Sequence, residues 1–146
     1  MSEETASRAR DEAIHTIQRE LTAFARRARS RAAELHPQLS LVAFSMLDLM
    51  AERGPVRGAD LAAYFMLDKS TVSRQVGSLE KLGFIAREAD PEDHRGQLLR
   101  LTPAGEQAVG EATERRRLAF LARFTDWEDA DLTRLAGYLA RYNEAE

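Results

Sequence analysis

The sequence contains no cysteine, which removes disulfides, thiolate zinc sites, cysteine nucleophiles and switches that work by thiol oxidation. It has no apolar run near the ~18 residues needed to cross a bilayer, so no membrane association is expected. The opening stretch, Met1 to Arg10, is polar and carries acids, unlike a secretory signal or transit peptide. By elimination, a cytoplasmic location is expected. Neither a phosphate-cradling glycine loop nor a zinc-helix motif occurs, and no histidine lies near Ser73 in sequence to serve as its base. Neither an enzyme nor a cofactor is therefore expected. His15, His36 and His94 lie far apart, and would make a metal site with a carboxylate only if folding gathered them; no metal is expected. The Asp90 to Asp93 acids read as solvation of a loop.

Lysine is scarce as well. Lys69 and Lys81 are the only two, and between them Arg74 faces a single acid, Glu80. The acids gather instead after Glu106, at Glu111, Glu114, Asp126, Glu128, Asp129, Asp131, Glu144 and Glu146. With a net charge of −3, total charge does not announce a nucleic-acid ligand, but its distribution leaves a small basic island. The chain is otherwise that of a globular protein, with 146 residues, 44% hydrophobic and 31% charged.

Six helices and a hairpin are expected. Arg8 to Leu35 lacks Gly and Pro, and places Ile14, Ile17, Leu21, Phe24, Ala28 and Leu35 on one stripe. His36-Pro37 ends that helix. Ser40 can cap a second helix to about Arg53, stopped by Gly54-Pro55. A short third helix spans about Gly58 to Phe65, and Asp68 can cap a fourth from Lys69 to Leu82. Gly83 sits where a left-handed residue is wanted. The period then changes: Phe84 to Glu88 and Gln97 to Leu101 read as strands joined by the polar loop Ala89 to Gly96. Thr102-Pro103 starts a fifth helix running to about Phe124. Thr125 to Glu128 has capping-box spacing and opens a last helix to about Tyr142, with Trp127, Leu132, Leu135, Leu139 and Tyr142 apolar.

Gly58 to Leu82 carries the function. A short helix, a tight link and a second helix form a helix-turn-helix arrangement. On the second helix, Val72, Val76, Leu79 and Leu82 form the inward stripe, while Thr71, Arg74, Gln75 and Ser78 form the outer one. Lys69 and Ser70 begin it, and Ser73 lies beside it. Arg can bind guanine twice, Gln adenine twice, and Ser or Thr adapts to either. Hydroxyls near a helix start can also hold phosphates. A solvated face would normally carry Glu and Lys; Ser70, Thr71, Ser73 and Ser78 have weaker helix propensity for no evident gain in stability. At the hairpin tip Asp93 and Arg95 are two apart, so the carboxylate could hold the arginine in one pose for a minor groove.

The segments Asp68-Lys-Ser-Thr-Val-Ser-Arg-Gln-Val76, Leu79-Glu-Lys-Leu-Gly-Phe-Ile85, Asp93-His-Arg95 and Leu101-Thr-Pro-Ala-Gly105 together resemble the MarR family of regulators. The resemblance is strong over about Leu47 to Gly105. It implies a mainly α (α+β) fold: a winged helix-turn-helix over 39–102, between dimerisation helices over 1–38 and 103–146. It implies that the helix matching Lys69 to Leu82 enters the major groove and Arg95 the minor groove. It further implies a homodimeric, sequence-specific regulator on a pseudo-palindromic operator in double-stranded DNA, more often a repressor than an activator. Release by a small aromatic or phenolic ligand is common in the family, and by analogy Phe44 and Met50 are candidate pocket residues. The competing reading is a winged-helix protein-interaction or dimer scaffold without specific DNA binding.

Overall fold

A computed structural model describes residues 3–93 and 95–145. The order is α1 (Glu3–Leu35), α2 (Leu41–Arg53), β1 (Val56–Arg57), α3 (Gly58–Phe65), α4 (Lys69–Lys81), β2 (Ile85–Ala89), β3 (Gln97–Leu101), α5 (Pro103–Arg123) and α6 (Asp129–Glu144). The chain divides into two compact units, Met1–Ala112 and Thr113–Glu146.

Local chemistry accounts for most of these boundaries in the first unit. The Ser40 hydroxyl accepts the Ala43 N–H at 3.1 Å and starts α2. Gly54, at φ 82°, closes it by donating to the Met50 carbonyl. Asp68 accepts the Thr71 N–H at 2.7 Å and starts α4. Gly83, at φ 76°, ends α4 as expected: its N–H bonds the Glu80 carbonyl, and the Phe84 N–H bonds that of Leu79. Helix α1 begins five residues earlier than its sequence pattern suggests, since Glu3 and Glu4 suit the positive end of a helix dipole.

The sheet has the order β1-β3-β2 and is antiparallel throughout. β2 and β3 form the hairpin, in register from Ile85 opposite Leu101 to Ala89 opposite Gln97. β1 was not expected. Its Val56 and Arg57 pair with Leu99 and Leu98, making β3 the central strand. Two residues have no readable period, and Gly54-Pro55 looks only like a helix stop.

The core lies among α2, α3, α4, the sheet and the first turns of α5. Met46, Leu47, Leu61 and Leu79 are fully buried there, with Val72, Val76, Ile85, Leu99 and Val109 beside them. The inward stripe of α4 is therefore the expected one. Thr102 accepts the Gly105 N–H at 3.1 Å and donates to the Gly83 carbonyl, fastening the start of α5 to the end of α4.

In the second unit the expected capping box does not form. Glu128 stands at the N-cap of α6 without a side-chain bond, and the Thr125 hydroxyl donates backward to the Leu121 and Ala122 carbonyls. Those carbonyls belong to the last turn of α5, where i+4 backbone donors run out, so a nearby hydroxyl finds acceptors there. Trp127 precedes α6 and meets Phe124 edge-on at 5.2 Å. No described helix is long and apolar enough to cross a membrane.

Candidate nucleic-acid interface

Helices α3 and α4 are joined by Met66, Leu67 and Asp68, and α4 turns its inner stripe into the core. Its other side faces solvent. Lys69, Ser70, Ser73, Arg74 and Ser78 are exposed, while Thr71 and Gln75 are half-buried at the margin of this face. Ser70, Arg74 and Ser78 thus share the side of α4 opposite its buried stripe; Thr71 and Gln75 lie at one margin, and Lys69 and Ser73 at the other, where they line a cleft with Val72 and Val76.

Several of them are already engaged. Ser70 donates to the Asp68 carboxylate at 2.7 Å, so its hydroxyl supports the cap. Arg74 reaches back to the Thr71 hydroxyl at 3.3 Å, and Ser78 donates to the Arg74 carbonyl at 3.0 Å. The bonds from Ser70 and from the Thr71 backbone N–H hold the Asp68 carboxyl well below its usual range, at about 2. Glu80, the lone acid of the basic island, is taken by Arg87 of β2 at 2.8 Å. That pair offsets the negative charge on α4 and leaves Lys69, Arg74 and Lys81 to set its sign.

The wing differs from expectation in two ways. Asp93 does not clamp the Arg95 side chain; its carboxylate accepts the Arg95 backbone N–H at 3.0 Å, and its carbonyl accepts the Gly96 N–H. A short carboxylate in a tight turn finds the nearby backbone donor first. Arg95 is exposed at the tip. His94 lies outside the described residues. Asp90, in turn, is no solvated loop acid. It is 2% exposed and bonded to Arg57 at 2.6 Å across 33 residues of sequence. The sequence reads Asp90 only as a loop acid and does not single out Arg57, because nothing local links the two.

Two clefts border this region. One of about 240 Å³ is lined by Lys69, Ser73, Val76, Arg87 and Gln97, among others. The other, about 750 Å³, lies beside α3 and the base of the wing. Phe44 and Met50 line neither; both are buried in the core. Among the described residues no cluster of three or more metal-binding side chains occurs.

A helix-turn-helix followed directly by an antiparallel hairpin defines a winged helix-turn-helix protein. Residues 38–96 match the model of the MarR family. The chain is 31% identical over 134 residues to the uncharacterized HTH-type transcriptional regulator YxaD of Bacillus subtilis, covering 90% of this chain and 94% of that one. It resembles the solved structure of the transcriptional regulator BldR from Sulfolobus solfataricus at 26% identity and TM-score 0.72, over 97% of this chain and 99% of the other. A MarR family protein from Bacillus stearothermophilus shares the fold at TM-score 0.78 and 20% identity, over 92% and 95% of the two chains. The chain belongs to the MarR family and is a winged helix-turn-helix transcriptional regulator.

Proposed function

We propose that the protein acts as a homodimer that binds a pseudo-palindromic operator and represses transcription. In this reading the outer face of α4 reads bases in the major groove, and Arg95 enters the flanking minor groove. The observation that carries it is the division of α4: Val72, Val76 and Leu79 are buried, while Arg74 and Ser78 on the opposite side are exposed beside Gln75. Arg74 and Gln75 have the donor and acceptor sets that discriminate guanine and adenine. Lys69 and Ser70 at the helix start suit phosphate oxygens, which fix register and not sequence. Thr71, Ser73 and Ser78 adapt to either base or backbone. Asp93 holds the turn that presents Arg95.

The test is binding to the DNA upstream of the protein's own coding region and to a scrambled duplex, across several salt concentrations. Specific recognition gives a steep salt slope and an affinity gap of about 10³ or more. Failure to bind any duplex from a genome-wide selection at low salt overturns the proposal, and leaves a winged-helix interaction scaffold as its replacement.

Exposed apolar side chains support the dimer. Ile14, Ile17 and Phe24 stand out on α1, and Tyr138, Leu139 and Tyr142 on α6. Release from DNA by a small aromatic or phenolic molecule is proposed by analogy with the family. Melting curves with a panel of such compounds test it, and stabilisation by none of them rejects it.

A further inference from the structure

Asp90 is the sole buried polar or charged residue among the described ones, and the DNA-facing side of α4 has no use for it. Its side chain is 1% exposed, against 44% for its partner Arg57. Both carboxylate oxygens are occupied. One accepts the Arg57 Nε–H at 2.6 Å, and the other accepts the Glu92 N–H at 3.0 Å. The Asp90 N–H also donates to the Gly96 carbonyl at 3.3 Å, closing the neck of the loop. Arg57 extends a second nitrogen to the Glu92 carboxylate at 3.2 Å. One guanidinium therefore spans two carboxylates of the wing loop.

The location of Arg57 gives this contact its meaning. It ends β1 and stands at the N-cap of α3, where its side chain makes no capping bond. Strand pairing in the hairpin stops at Ala89 opposite Gln97, so the loop that carries Arg95 projects beyond the sheet. β1 contributes only two paired residues to join the hairpin to the helix-turn-helix. An ion pair that takes a carboxylate out of water is a poor way to gain stability, because well-packed apolar residues of similar volume do as well or better. What it adds over an apolar contact is direction. The Arg57 hydrogen bond, followed by the Glu92 N–H, holds the Asp90 carboxyl below the usual range, so the anchor stays charged near neutrality.

We propose that Arg57 and Asp90 are positioning residues for DNA binding, which hold the wing loop, and with it Arg95, at a set attitude to α4. This rests on the reading of α4 and Arg95 as the DNA-contacting groups. Neither Arg57 nor Asp90 touches DNA in this scheme; both act through the loop. The nearby Arg53 does not substitute, since its guanidinium lies 4.8 Å over the Tyr64 ring.

The test uses the full-length protein and the duplex it selects most strongly, with A·T or G·C flanks. Affinity, hydroxyl-radical protection and melting temperature are measured for R57M, D90N, the R57M/D90N double variant, R57K and R95A. The double variant leaves no buried unpaired charge, so it separates positioning from folding. Its expected result is a melting temperature close to wild type, retained protection of the half-site centres, and loss of flank protection. Its A·T preference should fall about five- to tenfold. R57K should recover only part of this, because one ammonium cannot span both carboxylates. A double variant with wild-type flank protection and preference overturns the inference, provided R95A abolishes both. If R95A itself leaves the flanks unchanged, the reading of the wing fails, and the positioning role fails with it.

Discussion

Met66 holds a left-handed conformation at φ 52° in the turn between α3 and α4, and it is 91% exposed. The turn needs that conformation, because the Leu67 N–H must reach the Ala62 carbonyl to close α3. A side chain there costs about 1–2 kcal/mol that glycine avoids, and exposure means that little packing is lost on its removal. Met66→Gly should therefore raise stability by about 1 kcal/mol after glycine's entropy is counted, as read by urea denaturation. On α4, Arg74→Ala and Gln75→Ala should each weaken operator binding by about 1–3 kcal/mol and relax preference at particular base pairs. Binding like wild type by both variants, across a set of single-base operator changes, would remove α4 as the reading helix.

At the scale of elements, the two ends of α4 answer to different chemistry. Its start depends on an ionised Asp68. The folded carboxyl titrates at about 2, below the ordinary ~3.9 of an unfolded aspartate. The cap's contribution is therefore complete above the ordinary value and is lost as pH falls towards 2. Asp68→Asn should cap nearly as well at pH 7 and flatten this part of the acid dependence; Asp68→Ala should lower the melting temperature at pH 7. Melting curves from pH 7 to 2 check both. Beyond the far end of α4, a Cβ added to Gly105 would overlap the Phe84 carbonyl oxygen, a backbone atom that cannot swing aside. Gly105→Ala should cost about 1–3 kcal/mol in thermal or urea unfolding, since α5 must back away from the start of the wing. An unchanged midpoint would mean that α5 is not seated so closely.

For the whole molecule, the apolar surfaces of different helices meet unequal fates. The winged helix buries most of its own, whereas α1 has no buried residue and α6 has none either. A second copy of the chain is the proposed cover for those faces. Sedimentation should give twice 16.4 kDa. Leu139→Glu on α6 should shift the protein towards monomer and weaken operator binding, because a palindrome is held by two linked half-site contacts. A monomeric wild type that still bound a full palindrome tightly would reject this.

The sequence by itself determined whatever depends on neighbours within about a turn of helix. Ser40, Asp68 and Thr102 each bond an N–H three residues on, and Gly83 closes α4 through the residues just behind it. Spacing alone encodes such contacts, as it does the buried stripe of Val72, Val76 and Leu79. Tertiary structure decided the rest. The pairing of Arg57 with Asp90, the two-residue strand β1, and the seat of Gly105 against Phe84 all join distant segments. Where two partners compete, only the folded geometry chooses: Thr125 turns to the carbonyls of α5, and Asp93 to a backbone N–H instead of a guanidinium. Hydrogen bonds go to the partner within about 3 Å, and that distance is a property of the assembled chain.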